Sequence, residues 1–123
     1  MRSEAQRKHH QLLAWQEAMN LVKLVYNLTT SFPKEEIYGL ASQLKRAAIS
    51  VPSNIAEGAA RGTDKEFLHF LYTARGSLSE VETQVFLARD LGFTSEATEV
   101  EQQLEKVFSL IGGLIRAKKE KIA

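Results

Sequence analysis

Residues 36–61 carry a helical repeat of apolar side chains, and this repeat constrains the fold of the chain more than any other feature. At roughly 100° per residue, one arc of the helical wheel holds only apolar side chains, namely Ile37, Leu40, Leu44, Ala47, Ala48, Val51 and Ile55. The opposite arc holds polar side chains, namely Ser42, Gln43, Arg46, Ser50, Ser53, Asn54, Glu57 and Arg61. A solvated helix face is normally built from better helix formers than serine and asparagine. We therefore predict that this polar face contacts protein, and a merely solvated face is the alternative.

The same periodicity recurs along the rest of the chain, and no alternating strand pattern interrupts it. It predicts four helices over residues of about 10–31, 35–60, 64–91 and 95–119. Because the linkers are short, we expect one all-α domain over residues 1–123, an antiparallel up-down four-helix bundle. Pro52 removes a backbone hydrogen bond inside the second helix and should kink it there.

Local signals mark several of the predicted helix ends. Thr63 and Glu66 have the spacing of a capping box at the start of the third helix. Gly92 is the predicted left-handed residue that ends this helix. Thr94 or Ser95 is the predicted cap of the fourth helix.

Two expectations concern how the first and fourth helices pack. The predicted core stripe of the first helix consists of Trp15, Ala18, Val22, Val25 and Thr29. In the fourth helix, Gly112-Gly113 should cost about 1 kcal/mol per glycine relative to alanine. A close approach by another helix is the expected reason for this pair.

A second row of side chains lies beside the core face of the third helix and resembles an interface. It combines aromatic, small polar and charged groups, namely Leu68, Tyr72, Arg75, Ser79, Glu82 and Phe86. The matching surface on the second helix consists of Arg46, Ser50, Ser53, Asn54 and Glu57. Two different, complementary surfaces predict head-to-tail contacts that can close into a ring, with Arg46–Glu82 or Arg75–Glu57 pairs between subunits. The alternative is that the row only widens the core of one subunit.

Composition excludes several classes of protein. The content of 44% hydrophobic and 25% charged residues is that of a folded globular protein, and the absence of cysteine excludes disulfides and thiolate sites. No apolar run approaches the roughly 20 residues that span a bilayer, and the first residues lack the apolar core of a signal peptide. We therefore expect a cytoplasmic protein with no membrane partner.

Positive charge concentrates at the two ends of the chain, although the net charge is only +1. The candidate nucleic-acid contacts are these terminal cations, namely Arg7, Lys8, Arg116, Lys118, Lys119 and Lys121. An oligomer would gather them into a patch able to bind phosphates. The alternative is that they complement a helix dipole and keep the protein soluble.

The sequence predicts no catalytic residue, metal site or cofactor. Ser42 and Lys45 match an acyl-enzyme spacing, but its partner motifs are missing. His69 has no acidic or histidine partner four residues further on, which argues against a zinc or catalytic histidine site. Glu57 and Glu82 would form a catalytic pair only if the fold joined them in a cleft. We therefore expect a protein that is not an enzyme.

Several short motifs resemble the family of four-helix-bundle proteins named after 23S rRNA intervening sequences. They are Tyr38-Gly39-Leu40, Gln43-Leu44-Lys45-Arg46-Ala47-Ala48, Ser50-Val51-Pro52 and Asn54-Ile55-Ala56-Glu57-Gly58. Further matches extend the resemblance from about residue 12 to residue 115 in one consistent order. The resemblance implies a four-helix bundle and, because known members are similar homopentamers, a pentamer. It brings no established reaction.

Residues and resemblance together predict a non-enzymatic homo-oligomeric scaffold, ring-like and pentameric, that binds RNA or a nucleoprotein partner through its basic helix ends. The family is also similar to basic pentameric accessory proteins of diversity-generating retroelements. This chain, with a net charge of +1, departs from that basic character. The alternative function is a protein–protein adaptor of a mobile-element or phage-related system with no nucleic-acid role.

Overall fold

The computed structural model describes residues 7–123, so residues 1–6 of the predicted domain lie outside the described part. The four α-helices of this part are α1 (Leu13–Thr29), α2 (Leu40–Ala59), α3 (Asp64–Asp90) and α4 (Thr98–Ile122). Short 3-10 helices precede the first two, at Lys8–Gln11 and Lys34–Glu36. Residues 7–123 contain no strand. The predicted all-α, four-helix class is confirmed.

One hydrophobic core holds the four helices together. α1 and α3 each pack against both α2 and α4, so every helix has two neighbours. Leu21, Leu44, Leu71 and Leu104, one from each helix, are almost completely buried in this core. Burying one leucine side chain contributes about 1.5–3 kcal/mol, so the shared core dominates the stability of the fold.

Two contacts between helix ends show which ends of the helices lie close together. The hydroxyl of Ser31, just after α1, donates to the carbonyl oxygen of Phe93, just before α4, over 3.1 Å. Lys118 near the end of α4 pairs with Asp64, the first residue of α3, over 3.0 Å. The end of α4 therefore lies beside the start of α3.

The start of α2 differs from the predicted start at residue 35. Gly39, with φ −110° and ψ −117°, is not helical, and α2 begins only at Leu40. The N–H of Leu40 donates to the Glu36 carboxylate over 3.0 Å, so a side chain outside the helix satisfies this first amide. Ile37, a predicted core residue, consequently lies outside α2 and is exposed. Pro52 lies buried inside α2.

At the ends of α3, the predicted left-handed Gly92 is confirmed, and the predicted capping box of Thr63 and Glu66 is confirmed only in part. The Thr63 hydroxyl accepts a hydrogen bond from the N–H of Glu66 over 3.1 Å. The Glu66 carboxylate accepts from the same hydroxyl over 3.3 Å, whereas a full capping box would have it accept from the Thr63 amide. Gly92 has a φ of 77°, in the left-handed region that favours glycine.

The predicted cap of α4 at Thr94 or Ser95 is wrong. α4 begins at Thr98, and the N–H of Thr98 donates to the Glu96 carboxylate over 2.7 Å. Hydrogen bonds from Thr98 lower the pKa of Glu96, because they favour its charged form. A carboxylate two residues before the helix therefore replaces the expected hydroxyl.

The predicted core stripe of α1 is wrong in part. Ala18, Val25 and Thr29 are buried, but Trp15 and Val22 are only partly buried. The stripe is completed by buried residues outside the predicted set, namely Ala14, Leu21 and Leu28. Apolar side chains cover so much of α1 that the periodicity does not fix which arc faces the core.

The close helix approach expected at Gly112-Gly113 does not occur between the described residues of one subunit. Among residues 7–123, a Cβ atom on either glycine would meet only the guanidinium of Arg116, at 3.6 and 3.9 Å. The close approach lies instead at Gly58 of α2, where a Cβ atom would come within 2.8 Å of Phe70 Cβ.

Candidate oligomer and nucleic-acid surfaces

Two of the predicted interface residues of α2, Ser50 and Asn54, form hydrogen bonds within the subunit. The Ser50 hydroxyl lies 2.9 Å from the Ser77 hydroxyl of α3. The Asn54 side-chain amide donates to the carbonyl oxygen and hydroxyl of Ser50 over 2.8 and 2.9 Å. Ser50 therefore ties α2 to α3, Asn54 holds Ser50 from one turn further along α2, and both residues are half-buried.

The other three residues of that set, Arg46, Ser53 and Glu57, are exposed. The Glu57 carboxylate pairs with the Arg61 guanidinium over 3.0 Å, so a contact with Arg75 of another subunit would have to compete with this pair. Within residues 7–123, the Arg46 side chain makes one hydrogen bond, of 3.5 Å to Ser42 on its own helix. Arg46 also borders a polar groove of about 440 Å³ between α2 and α3, lined by Gln43, Ala47, Ser50, Ser77 and Glu80.

The predicted row on α3 is divided between core and surface. Leu68 is partly buried against the core, which matches the alternative of a wider core for this residue. The Tyr72 and Phe86 rings are 39% and 38% exposed, and the Arg75 guanidinium lies 5.1 Å from the centre of the Tyr72 ring. Ser79 is also exposed, and Glu82 is half-buried. Exposed aromatic rings beside arginine are typical of protein interfaces.

The α3 row continues onto the side of α3 that faces α4, whereas the contact of α3 with the polar face of α2 is made by Ser77. Arg89 covers the Phe86 ring at 4.8 Å and pairs with Glu101 of α4 over 2.7 Å. Ser77, by contrast, points towards α2. The row thus follows the α4 side of α3, and one subunit presents two different surfaces.

The cations at the two chain ends meet at one end of the bundle. The pKa of Asp64 is lowered, first by its hydrogen bond from Lys118 and further by the positive charges of Lys118, Lys121 and Lys8. Lys8 precedes α1, whereas Lys121 lies in the last turn of α4. We call this end, with Lys8, Lys118 and Lys121 around Asp64, the basic end.

The predicted nucleic-acid contacts are not equivalent. Lys118 is half-buried, because it pairs with Asp64 and lies 4.9 Å from the centre of the Phe67 ring. The Arg116 guanidinium folds back over Gly112-Gly113. The set that is exposed consists of Arg7, Lys8, Arg116, Lys119 and Lys121.

A groove between the end of α2 and the start of α3 escaped the sequence analysis. It has a volume of about 370 Å³ and is lined by Arg61, Lys65, Glu66, His69 and Phe70. The i, i+4 spacing of Lys65 and His69 could have shown that these two share a helix face. Only the turn between the helices, however, brings Arg61 over the Phe70 ring, at 4.8 Å.

The described residues also bear on metal sites, on a catalytic carboxylate pair and on membrane-spanning helices. Within residues 7–123, no three His, Asp or Glu side chains lie close enough to hold a metal ion. Glu57 shares Arg61 with Glu66 of the first turn of α3, whereas Glu82 lies about 24 Å beyond Glu66 along that helix, at roughly 1.5 Å per residue. In the described part of the chain, no helix is long and apolar enough to cross a membrane.

Comparison with known proteins identifies the family. Residues 10–113 match the 23S rRNA-intervening sequence protein family, over α1, α2, α3 and most of α4. No curated protein matches the chain significantly. The match covers most of the sequence and confirms the resemblance drawn from the motifs of α2. The chain belongs to the 23S rRNA-intervening sequence protein family.

Proposed function

We propose that this protein is a non-enzymatic homo-oligomeric scaffold, a ring of subunits that binds RNA or another nucleic acid in the cytoplasm. The observation that carries the proposal is the basic end, where Lys118 pairs with Asp64 over 3.0 Å and the charges of Lys8 and Lys121, from opposite ends of the chain, also lower the pKa of Asp64. Phosphate groups bind where several cations converge, even when the net charge is small. A ring would repeat the basic end once in every subunit.

The bundle geometry that brings the chain ends together is part of this proposal. The contacts Ser31–Phe93, Asp64–Lys118 and Arg89–Glu101 support an antiparallel up-down order of the helices. In this order the start of α1 and the end of α4 lie at the same end. A kink at Pro52 would bend α2 beside the Ser50–Ser77 contact.

The ring itself is supported by the two surfaces of the subunit. Tyr72 and Phe86 expose aromatic rings on one surface, and Arg46 offers on the other an exposed guanidinium that forms no ion pair within residues 7–123. Head-to-tail joining of two different surfaces builds a closed ring when the rotation between subunits allows it. We expect Arg46 of one subunit to pair with Glu82 of the next, and the family resemblance favours five subunits.

Light scattering at low and high salt tests the ring. The wild type should have a mass several times the 13.8 kDa of one subunit, close to five times in a pentamer. Arg46→Ala and Glu82→Ala should both lower this mass, because each removes one partner of the proposed pair. Glu105→Ala, a change at an exposed position of α4, is the matched control and should leave the mass unchanged. A wild type of 13.8 kDa would refute the ring.

The absence of enzymatic activity is also a proposal. It is supported by the engagement of Glu57 with Arg61 and by the separation of Glu57 from Glu82. A catalytic pair of carboxylates needs both groups at one substrate. Turnover that disappears in Glu57→Gln without loss of assembly would contradict this part of the proposal.

An apolar groove favours the second candidate function, a protein–protein adaptor of a mobile-element or phage-related system with no nucleic-acid role. The groove lies between α1 and α2, has a volume of about 400 Å³ and is lined by His9, Trp15, Met19, Val22, Ile49, Pro52, Ser53 and Ala56. Ile49 is 43% exposed there. An intact ring that binds no RNA even at low salt would favour the adaptor.

A further inference from the structure

We propose that the groove lined by Arg61, Lys65, Glu66, His69 and Phe70 holds one unpaired nucleotide of a bound single-stranded RNA. The base stacks on the planar side chains of the groove, and Lys65 contacts its phosphate. This inference rests on the proposed nucleic-acid function and adds the position and the chemistry of one contact.

Three planar groups meet in the groove. The Arg61 guanidinium lies over the Phe70 ring, with 4.8 Å between its Cζ atom and the ring centre. The His69 ring stands edge-on to the Phe70 ring, with 5.4 Å between centres and 80° between planes. RNA-binding proteins stack unpaired bases on aromatic rings and on guanidinium planes, and this groove offers both.

The stacking surface is held in place before any ligand binds. The Arg61 guanidinium pairs with Glu57 over 3.0 Å and with Glu66 over 3.8 Å. These carboxylates compensate the positive charge of Arg61. Its guanidinium is therefore better suited to stack its flat face on a base than to bind a phosphate. Groups that are already ordered lose less conformational entropy when a ligand binds.

The size of the groove fits one nucleotide. Its volume of about 370 Å³ lies near the lower limit of small-molecule sites, which range over about 300–1,000 Å³. A duplex would not fit, and a duplex also hides the faces of its bases within the stack. The occupant is therefore a base that lies outside a helix.

The charges around the groove favour one orientation of the nucleotide, with its phosphate on the side of Lys65. Lys65 is exposed and makes no ion pair within the part of the chain that the structure describes. The preceding residue, Asp64, lies among Lys8, Lys118 and Lys121. A strand that leaves the groove past Lys65 therefore reaches the basic end. The Glu66 carboxylate, in the groove wall, can accept a hydrogen bond from an amino group of the base.

The test compares two fluorescently labelled single strands of equal length, an oligoadenylate and an abasic oligoribonucleotide, by anisotropy at several salt concentrations. The wild type should bind the oligoadenylate more tightly. His69→Ala, a change of an exposed side chain, should weaken that binding by about 5- to 150-fold, the effect expected for one base–aromatic stack. It should leave the salt dependence unchanged, because no phosphate contact is lost.

Two further variants separate stacking from folding. Phe70→Leu should reduce oligoadenylate binding while circular dichroism reports an unchanged helix content. Tyr38→Ala removes an aromatic side chain that is 95% exposed and precedes the start of α2, whereas the groove lies beyond the end of α2, so its binding should match the wild type.

The failures of the two proposals can be told apart. Equal affinity of the wild type for both oligonucleotides, or wild-type affinity in His69→Ala, would overturn the stacking site and leave the proposed nucleic-acid function standing. No binding of either oligonucleotide at low salt would overturn the nucleic-acid function, and the stacking site with it.

Discussion

Of the glycines in α2 and α3, Gly58 is the one at which the two helices lie closest together. A Cβ atom there would lie 2.8 Å from Phe70 Cβ and 2.9 Å from Phe67 Cδ1, both nearer than real contacts allow. Gly76 on α3 offers the opposite environment, since no atom of the described residues would lie within 4 Å of a Cβ atom there. Both glycines lie inside helices, so secondary structure alone does not distinguish them.

Alanine substitutions should separate these two glycines. Gly58→Ala should lower the free energy of unfolding by about 1–3 kcal/mol, because it overpacks the contact between α2 and α3. Gly76→Ala should raise it by about 0.5–1 kcal/mol, because alanine loses less backbone entropy in a helix. Urea unfolding at one protein concentration measures both values. Changes of the same sign at both positions would contradict this account of the packing.

At the scale of the elements, α1 and α4 are joined by a polar contact as well as by the core. The Gln103 side-chain amide donates to the carbonyl oxygen of Glu17 over 2.9 Å and to its carboxylate over 2.8 Å. The pKa of Glu17 is lowered, first by the bond from Gln103, then by Asn20 and by the charge of Lys106. Each of these partners favours the charged carboxylate.

This contact predicts a pH-dependent stability. Because the folded state lowers the pKa of Glu17, its contribution is present above the ordinary value of 4.5 and is lost as the pH falls through the folded-state value. Gln103→Ala should reduce the free energy of unfolding by about 1.5–3 kcal/mol at pH 7 and by less at pH 3. Gln102→Ala, at the exposed neighbouring position, is the control and should change little at either pH. An equal loss at both pH values would show that the charge of Glu17 has no part.

At the scale of the whole molecule, the basic end exists only because the fold joins the two ends of the chain. Lys8 and Lys121 lie far apart in sequence, yet both charges act on Asp64. Lys118 stabilises the same region by pairing with Asp64, so it contributes to packing as well as to charge. The exposed lysines Lys119 and Lys121 are the better probes of RNA binding.

Charge removal at the basic end should change the salt dependence of RNA binding. The double variant Lys119→Gln/Lys121→Gln should bind single-stranded RNA more weakly. Its plot of log affinity against log salt should be less steep by about 0.7 for each phosphate contact that is lost. Lys23→Gln/Lys34→Gln, a pair of exposed lysines elsewhere, serves as the control. Equal slopes for the two double variants would show that the basic end does not contact phosphates.

The sequence by itself determined the features that depend on neighbours along the chain. Helical periodicity predicted four helices, and it placed α3 within one residue at its C-terminal end and correctly at its start. Thr63 and Gly92 acted as predicted, because a cap or a left-handed turn involves residues only a few positions apart. The motifs in and just before α2 also predicted the family, and the match over residues 10–113 confirms this prediction.

Only the tertiary structure decided which faces and ends of the helices meet. The buried arc of α1, the contact of Ser50 with α3, and the open surroundings of Gly112-Gly113 within residues 7–123 all differ from the simplest interpretation of the pattern. Each depends on the rotation and offset of one helix against another, which the packing of the whole core sets. The basic end and the groove at Arg61 arise in the same way, because turns and chain ends bring together side chains that no local pattern connects.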